Sequence, residues 1–224
     1  MKRTKLIDRL LPDYTNGEEI FNMVTHIVGG GLGVVYLVLC VVFAALKGNV
    51  WGVVSSSIYG ASVIALFTMS SVYHGVKPAM VKKVLQVLDH CTIYFMIGGT
   101  YTAIMLSPGL LKEHPFIAWG VFGFVWGMAA LAITLNAIDL KKYKVFSMIS
   151  YIGMGWCALV TIVPIYKALT FWGFMWLLGG GIMYTIGAVL FSFGTKVRYI
   201  HSVFHIFVVL ASVMHFICIF FYVI

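Results

Sequence analysis

"HSVFHIFVVLASVMHFICIFFYVI", residues 201–224, contains no Lys, Arg, Asp or Glu, yet it carries three histidines, His201, His205 and His215. About 20 apolar residues at a helical rise of about 1.5 Å cross the roughly 30 Å of a bilayer core. This run therefore reads as a membrane-spanning helix over 200–223. Six more runs of that kind precede it, at 21–46, 50–74, 86–107, 115–137, 145–166 and 169–194. They are too long and too evenly apolar for barrel strands, and a lipid-exposed backbone must satisfy its own hydrogen bonds. The expected fold is an all-α integral membrane protein, a bundle of seven transmembrane helices. Residues 1–20 form a cytoplasmic tail and residues 21–224 form the transmembrane domain.

Composition agrees. Of 224 residues 62% are hydrophobic and 10% are charged, whereas a soluble domain carries about 25% charged residues. The formal net charge is +8, but the basic residues punctuate the apolar runs rather than lining one solvated face, which excludes nucleic acid as a partner. Twelve of the 15 Lys and Arg fall in the tail (Lys2, Arg3, Lys5, Arg9) and in three alternate loops (Lys77, Lys82, Lys83; Lys141, Lys142, Lys144; Lys196, Arg198). The other loops hold only Lys47, Lys112 and Lys167. The positive-inside rule then places the N-terminus in the cytoplasm and the C-terminus outside, in a multi-pass membrane protein. No signal peptide is visible, and the tail reads as an interfacial helix presenting Leu6, Ile7, Leu10 and Leu11 to lipid. The cysteines (Cys40, Cys91, Cys157, Cys218) lack metal-type spacing and read as packing residues. Trp51, Trp119 and Trp172 fall at outer boundaries as interface anchors.

With this orientation, polar residues far apart in sequence share one depth. His74 ends the second helix, Asp89 begins the third, and His201 and His205 begin the seventh. Positions i and i+4 lie on one helix face, so the pair suits a single ion, with His74 as a third nitrogen. Catalytic zinc keeps three protein ligands and one open position; iron or nickel suits three imidazoles nearly as well. "HSVFH" lacks the glutamate of the metalloprotease helix motif, and Asp89 is the only carboxylate expected near this depth, so it is the candidate base. Taken singly, a histidine at a helix end is most often an interfacial group and an i, i+4 pair is as often structural as functional; their coincidence favours a site. Ser70, one turn before His74, is either a partner of the site or a packing serine. Asn22 and His26 either support it or form a packed polar pair at a helix start, and His90 either supports it or faces the lipid headgroups. Deeper in the bundle, Thr100, Thr102 and His215 either wall an inner cavity or make interhelical hydrogen bonds.

"SSVYH" (70–74), "LDHCTIYFMIGGTYT" (88–102) and "HSVFHIFVVLASVMHF" (201–216) resemble signature segments of the bacterial haemolysin III proteins, members of the progestin and adipoQ receptor family that includes the adiponectin receptors. The similarity runs from "NMVTHIVGGGLG" (22–33) to the end of the chain. It implies a zinc ion held by His74, His201 and His205, with Ser70 in the site, Asp89 positioning a water on the zinc, and seven helices with the N-terminus inside. His90 stands where the adiponectin receptors carry an aromatic residue. Ala103 stands where many bacterial relatives carry proline, which removes a helix-kinking residue from the third helix. Three function classes follow: a zinc-dependent hydrolase of a membrane lipid amide or ester, a non-enzymatic membrane sensor with structural zinc, and a pore-forming cytolysin.

Overall fold

The computed structural model describes residues 4–194 and 197–224; Lys2, Arg3 and Lys196 of the charge count lie outside them. The described residues are predominantly helical: α1 (Asn16–Leu46), α2 (Val50–Gly75), α3 (Ala79–Met105), a short α4 (Pro108–Glu113), α5 (Pro115–Asp139), α6 (Lys144–Gly155), α7 (Ile162–Phe193) and α8 (Ile200–Tyr222). Among them five stretches are long and apolar enough to cross a membrane: α1, α2, α5, the 50-residue stretch Lys144–Phe193, and α8. The expected third span differs. The α3 helix starts ahead of the expected boundary, directly after Pro78, and carries Lys82, Lys83, Gln86, Asp89 and His90 in its first half, which lowers its hydropathy.

Two local devices shape the 50-residue stretch. Pro164 lacks an N–H and crowds the carbonyl four residues back; just before it, Trp156–Thr161 tightens into a 3₁₀ helix. The Tyr101 hydroxyl of α3 stitches this distortion, donating to the Gly155 carbonyl at 3.0 Å and accepting from the Ala158 N–H at 2.7 Å. Farther on, Thr170 sits at φ 62°, ψ 177°, a left-handed conformation that costs a non-glycine residue about 1–3 kcal/mol. It breaks the stretch at the start of the second of the two runs read from the sequence, 169–194.

The α1 helix begins at Asn16 rather than 21 because Thr15 and Glu18 form a reciprocal capping box. Its buried positions are Glu18, Asn22, His26, Gly29, Gly33, Tyr36, Cys40 and Ala44, a stripe at steps of three and four that faces the bundle. Val34, Val35, Val38 and Val42 are exposed. Many serines and histidines and Asn22 are buried alongside an apolar core, while a large set of valines, leucines and isoleucines faces outward, a distribution suited to a hydrocarbon solvent. The largest helix contacts are α1 with α2, α7 with α8, and α2 with α3.

The tail is not the expected interfacial helix. It has a single 3₁₀ turn at Leu6–Asp8, and extended backbone then leads through Pro12 to Thr15. Polar ties hold it across helix ends instead: Thr4 N–H donates to Asp139 Oδ2 at 2.6 Å, Lys83 Nζ to the Ile7 carbonyl at 2.5 Å, and Arg9 Nη2 to the Ile138 carbonyl at 3.5 Å. Ile7 and Leu10 are exposed and Arg9 is buried.

Candidate metal centre and cavity

The end of α2 and the start of α8 bring His74, His201 and His205 together. All three are buried, and one nitrogen from each falls within 4.8 Å of the others. His201 Nε2 and His205 Nε2 face each other at 3.1 Å. Two nitrogens on a tetrahedral zinc, each about 2.0–2.1 Å from the ion, stand about 3.3 Å apart, so the pair is already spaced as ligands. His74 Nε2 has no hydrogen-bond partner. A buried lone pair without a partner is costly, and three converging imidazoles fit a divalent ion that takes nitrogen donors.

The placement of α8 follows from its own cap. Tyr199 adopts a left-handed conformation, φ 61°, just before the helix, and its N–H donates to Glu18 Oε1 at 2.6 Å. Glu18 Oε2 accepts from the Thr15 N–H and hydroxyl, each at 2.8 Å. One buried carboxylate thus locks the starts of α1 and α8 together.

Glu19, read from the sequence only as part of the acidic tail, enters the site. Its Oε2 lies 2.6 Å from His74 Nδ1 and its Oε1 lies 2.7 Å from Lys82 Nζ. This corrects the expectation that Asp89 is the only carboxylate at this depth. The recoverable signal was helical: Glu19, Asn22 and His26 follow one another at steps of three and four, which places Glu19 on the buried face.

Tyr14 was likewise missed. Its ring stacks on His201 with centroids 4.8 Å apart and planes 15° from parallel, and it tilts over His74 at 5.9 Å. Burial first, and then the carboxylates of Glu19, Asp89 and Glu18, hold its phenol above the ordinary range, so it stays neutral. No sequence period points to it, because it belongs to an extended segment ahead of the first helix.

The supporting candidates fall into place individually. His26 stacks on His205 with centroids 3.8 Å apart and meets Phe67 edge-on; neither of its nitrogens has a partner. Asn22, one turn earlier, is fully buried with its carboxamide unpartnered. Ser70 is buried beside the Asp89 carboxyl. Asp89 stands outside the trio of ligand atoms, and its Oδ2 is 3.8 Å from His90 Nδ1. His90 spends that nitrogen on the Gln86 carbonyl at 2.8 Å and packs against Phe191.

A cavity of about 180 Å³ runs inward from this cluster. His26, Ser70, Asp89, His90, His201 and His205 line one end; Thr100, Met105, Ile165, Leu177, Tyr184 and His215 line the rest. His215 is held by its own contact, Nε2 donating to the Leu177 carbonyl at 3.2 Å. Gly180 makes that position possible, since a Cβ there would collide with the His215 ring, and Gly181 next to it faces open cavity. Thr102, read as either a wall residue or an interhelical hydrogen-bonding group, is not in the lining and takes the second role. Its hydroxyl donates to the Gly98 carbonyl at 2.7 Å and accepts from Trp126 Nε1 at 2.9 Å, tying α3 to α5. One helical step of about 100° separates adjacent residues, and two steps from Thr100 turn Thr102 away.

Residues 14–216 match the family described as Haemolysin-III related. Hemolysin-3 of Bacillus cereus is 35% identical over 206 residues, 92% of each chain. The Hemolysin-3 homolog of Bacillus subtilis (strain 168) is 34% identical over 214 residues, 93% of this chain and 96% of its own. The human Monocyte to macrophage differentiation factor is 29% identical over 179 residues, 76% of this chain and 71% of its own.

Proposed function

The chain belongs to the haemolysin III family, and from that premise and the geometry of the site we propose a zinc-dependent hydrolase that cleaves a membrane lipid amide or ester. The observation that carries this reading is the convergence of three buried histidines at one end of a largely apolar cavity. When bound, zinc supplies Lewis acidity and brings the pKa of a coordinated water near 7. His74, His201 and His205 would hold it. Asp89, next to that centre and outside the ligand trio, accepts the proton of the attacking water and returns it to the leaving group. Ser70 beside it orients the carboxyl. The acyl chain lies along Met105, Ile165 and Leu177, past Gly181. Leu159 and Ile162 line the cavity while being 49% and 39% exposed on the outer surface, so a substrate reaches it from lipid.

The topology proposed with this function is seven crossings with the N-terminus in the cytoplasm of a bacterial plasma membrane. Support comes from the Lys and Arg asymmetry and from the break at Thr170, which turns the stretch Lys144–Phe193 into two spans; α3 is the remaining crossing. The name of the relatives suggests a cytolysin, but a pore needs polar lining through the full membrane thickness, and the cavity lining here is largely apolar away from the histidine cluster. A purely structural zinc site closes all four positions with protein ligands; three converge here.

The test is metal content followed by turnover. Purified wild type is expected to hold about one zinc per chain and to hydrolyse a long-chain acyl amide or ester in vesicles. Asp89→Asn is expected to keep the zinc and lose about 10²–10⁴-fold in turnover, the usual contribution of a general base. An Asp89→Asn protein with undiminished turnover would remove the assignment.

A further inference from the structure

We propose that Glu19 is a positioning residue of the metal centre, fixing the His74 ring so that Nε2 is offered to the ion, with Lys82 fixing Glu19 in turn. The proposal rests on the reading of the three histidines as metal ligands.

The contact between His74 Nδ1 and Glu19 Oε2 is 2.6 Å, at the short end for a hydrogen bond to a charged acceptor. A carboxylate only accepts, so Nδ1 donates and carries the proton. In the neutral ring the other nitrogen then keeps its lone pair. That nitrogen, His74 Nε2, is buried without a partner and belongs to the histidine cluster. One contact thereby sets both the ring's tautomer and its orientation.

Glu19 is itself held at both oxygens. Lys82 Nζ lies 2.7 Å from Oε1, donates to the Val76 carbonyl at 3.4 Å, and sits 5.0 Å over the Tyr73 ring. The chain Lys82, Glu19, His74 links α3, α1 and α2 at the site, and α8 brings the other two histidines. Local helix chemistry explains an acidic residue in the first turn of α1, where the helix dipole favours it, but Glu18 already performs the capping. The two neighbouring glutamates divide the work: Glu18 fixes helix ends, and Glu19 reaches across to a ligand. A carboxylate behind a ligating histidine raises the ring's basicity as well as orienting it, and loss of such a partner typically costs 10–100-fold in metal affinity.

The experiment is a zinc competition titration against a chromophoric chelator, with cobalt substitution to read ligand geometry from the visible bands. Glu19→Ala is expected to weaken zinc by about 10–100-fold and to shift the cobalt bands. Glu19→Gln, whose carboxamide oxygen accepts the same N–H, is expected to recover most of that loss. Lys82→Met is expected to weaken zinc by less than Glu19→Ala does, because it loosens the carboxylate without removing the acceptor of the His74 N–H. Glu19→Leu, similar in size and lacking an acceptor, reads the same quantity where the alanine variant does not fold. Wild-type zinc affinity and unchanged cobalt bands in Glu19→Ala or Glu19→Leu overturn the proposal while the metal centre stands. A wild-type protein that holds no zinc overturns the metal centre and this role together.

Discussion

The helix α8 holds histidines in two contrasting settings. His201 and His205 at its start face each other at 3.1 Å and meet His74 from another helix, with Tyr14 and His26 stacked against them. His215, deeper in the bundle, is alone with Tyr184 and answers to a single backbone carbonyl. All three are buried and all occur in one apolar run, so burial and composition do not separate them. What does is whether nitrogens converge. An imidazole with a carbonyl partner completes a packed interior, whereas imidazoles that point at one another from two helices leave a gap shaped for an ion.

The sharpest way to break this contrast is to truncate one member of each kind. His205→Ala is expected to abolish zinc retention, weakening it more than the roughly 100-fold upper range for losing a mere supporting group. His215→Ala is expected to keep about one zinc per chain. Equal metal content in the two variants would end the distinction. A second test separates the cavity from the cluster. Gly181→Leu fills open space between the two ends and is expected to cut turnover of a long-chain lipid roughly tenfold or more, as pocket occlusion does, with zinc content unchanged.

A smaller effect concerns the cover over the cluster. Ring stacking contributes about 0.5–1.5 kcal/mol, so Tyr14→Ala is expected to speed zinc release to a chelator by about 2- to 10-fold without changing stoichiometry. A release rate equal to wild type would show that the tail is a bystander. The smallest effect belongs to Thr102→Val. Interhelical hydrogen bonds within membranes are worth about 0.6 kcal/mol on average, and a loss of that order in unfolding experiments is expected with metal content and turnover untouched. A clear fall in turnover would return Thr102 to the cavity.

The histidines, Asp89 and Ser70 were legible because helical spans plus charge asymmetry assign depth, and depth brought them together before any coordinates did. Thr100 and His215 were legible as a pair by the same reasoning. For Thr102 the choice between cavity wall and interhelical hydrogen bond needed angular information: depth says nothing about which way a side chain turns, and its partner, Trp126, lies on α5. Glu19 failed because a boundary placed at 21 left it in a tail, although Thr15 and Glu18 already spelled a capping box. Tyr14 was beyond reach, since an extended segment has no period to read and its position depends on ties to Asp139, Lys83 and the end of α5.

The sequence by itself determined the membrane class of the chain and the helix ends at which its polar residues sit, because about 20 uncharged residues in a row is an energetic statement about lipid. Only the tertiary structure decided which groups meet across helices. The pairing of Glu19 with His74, the stacking of Tyr14 on His201 and the diversion of Thr102 each depend on the rotation of one helix against another. That rotation is set by the sum of many weak packing contacts, which no local stretch of sequence contains.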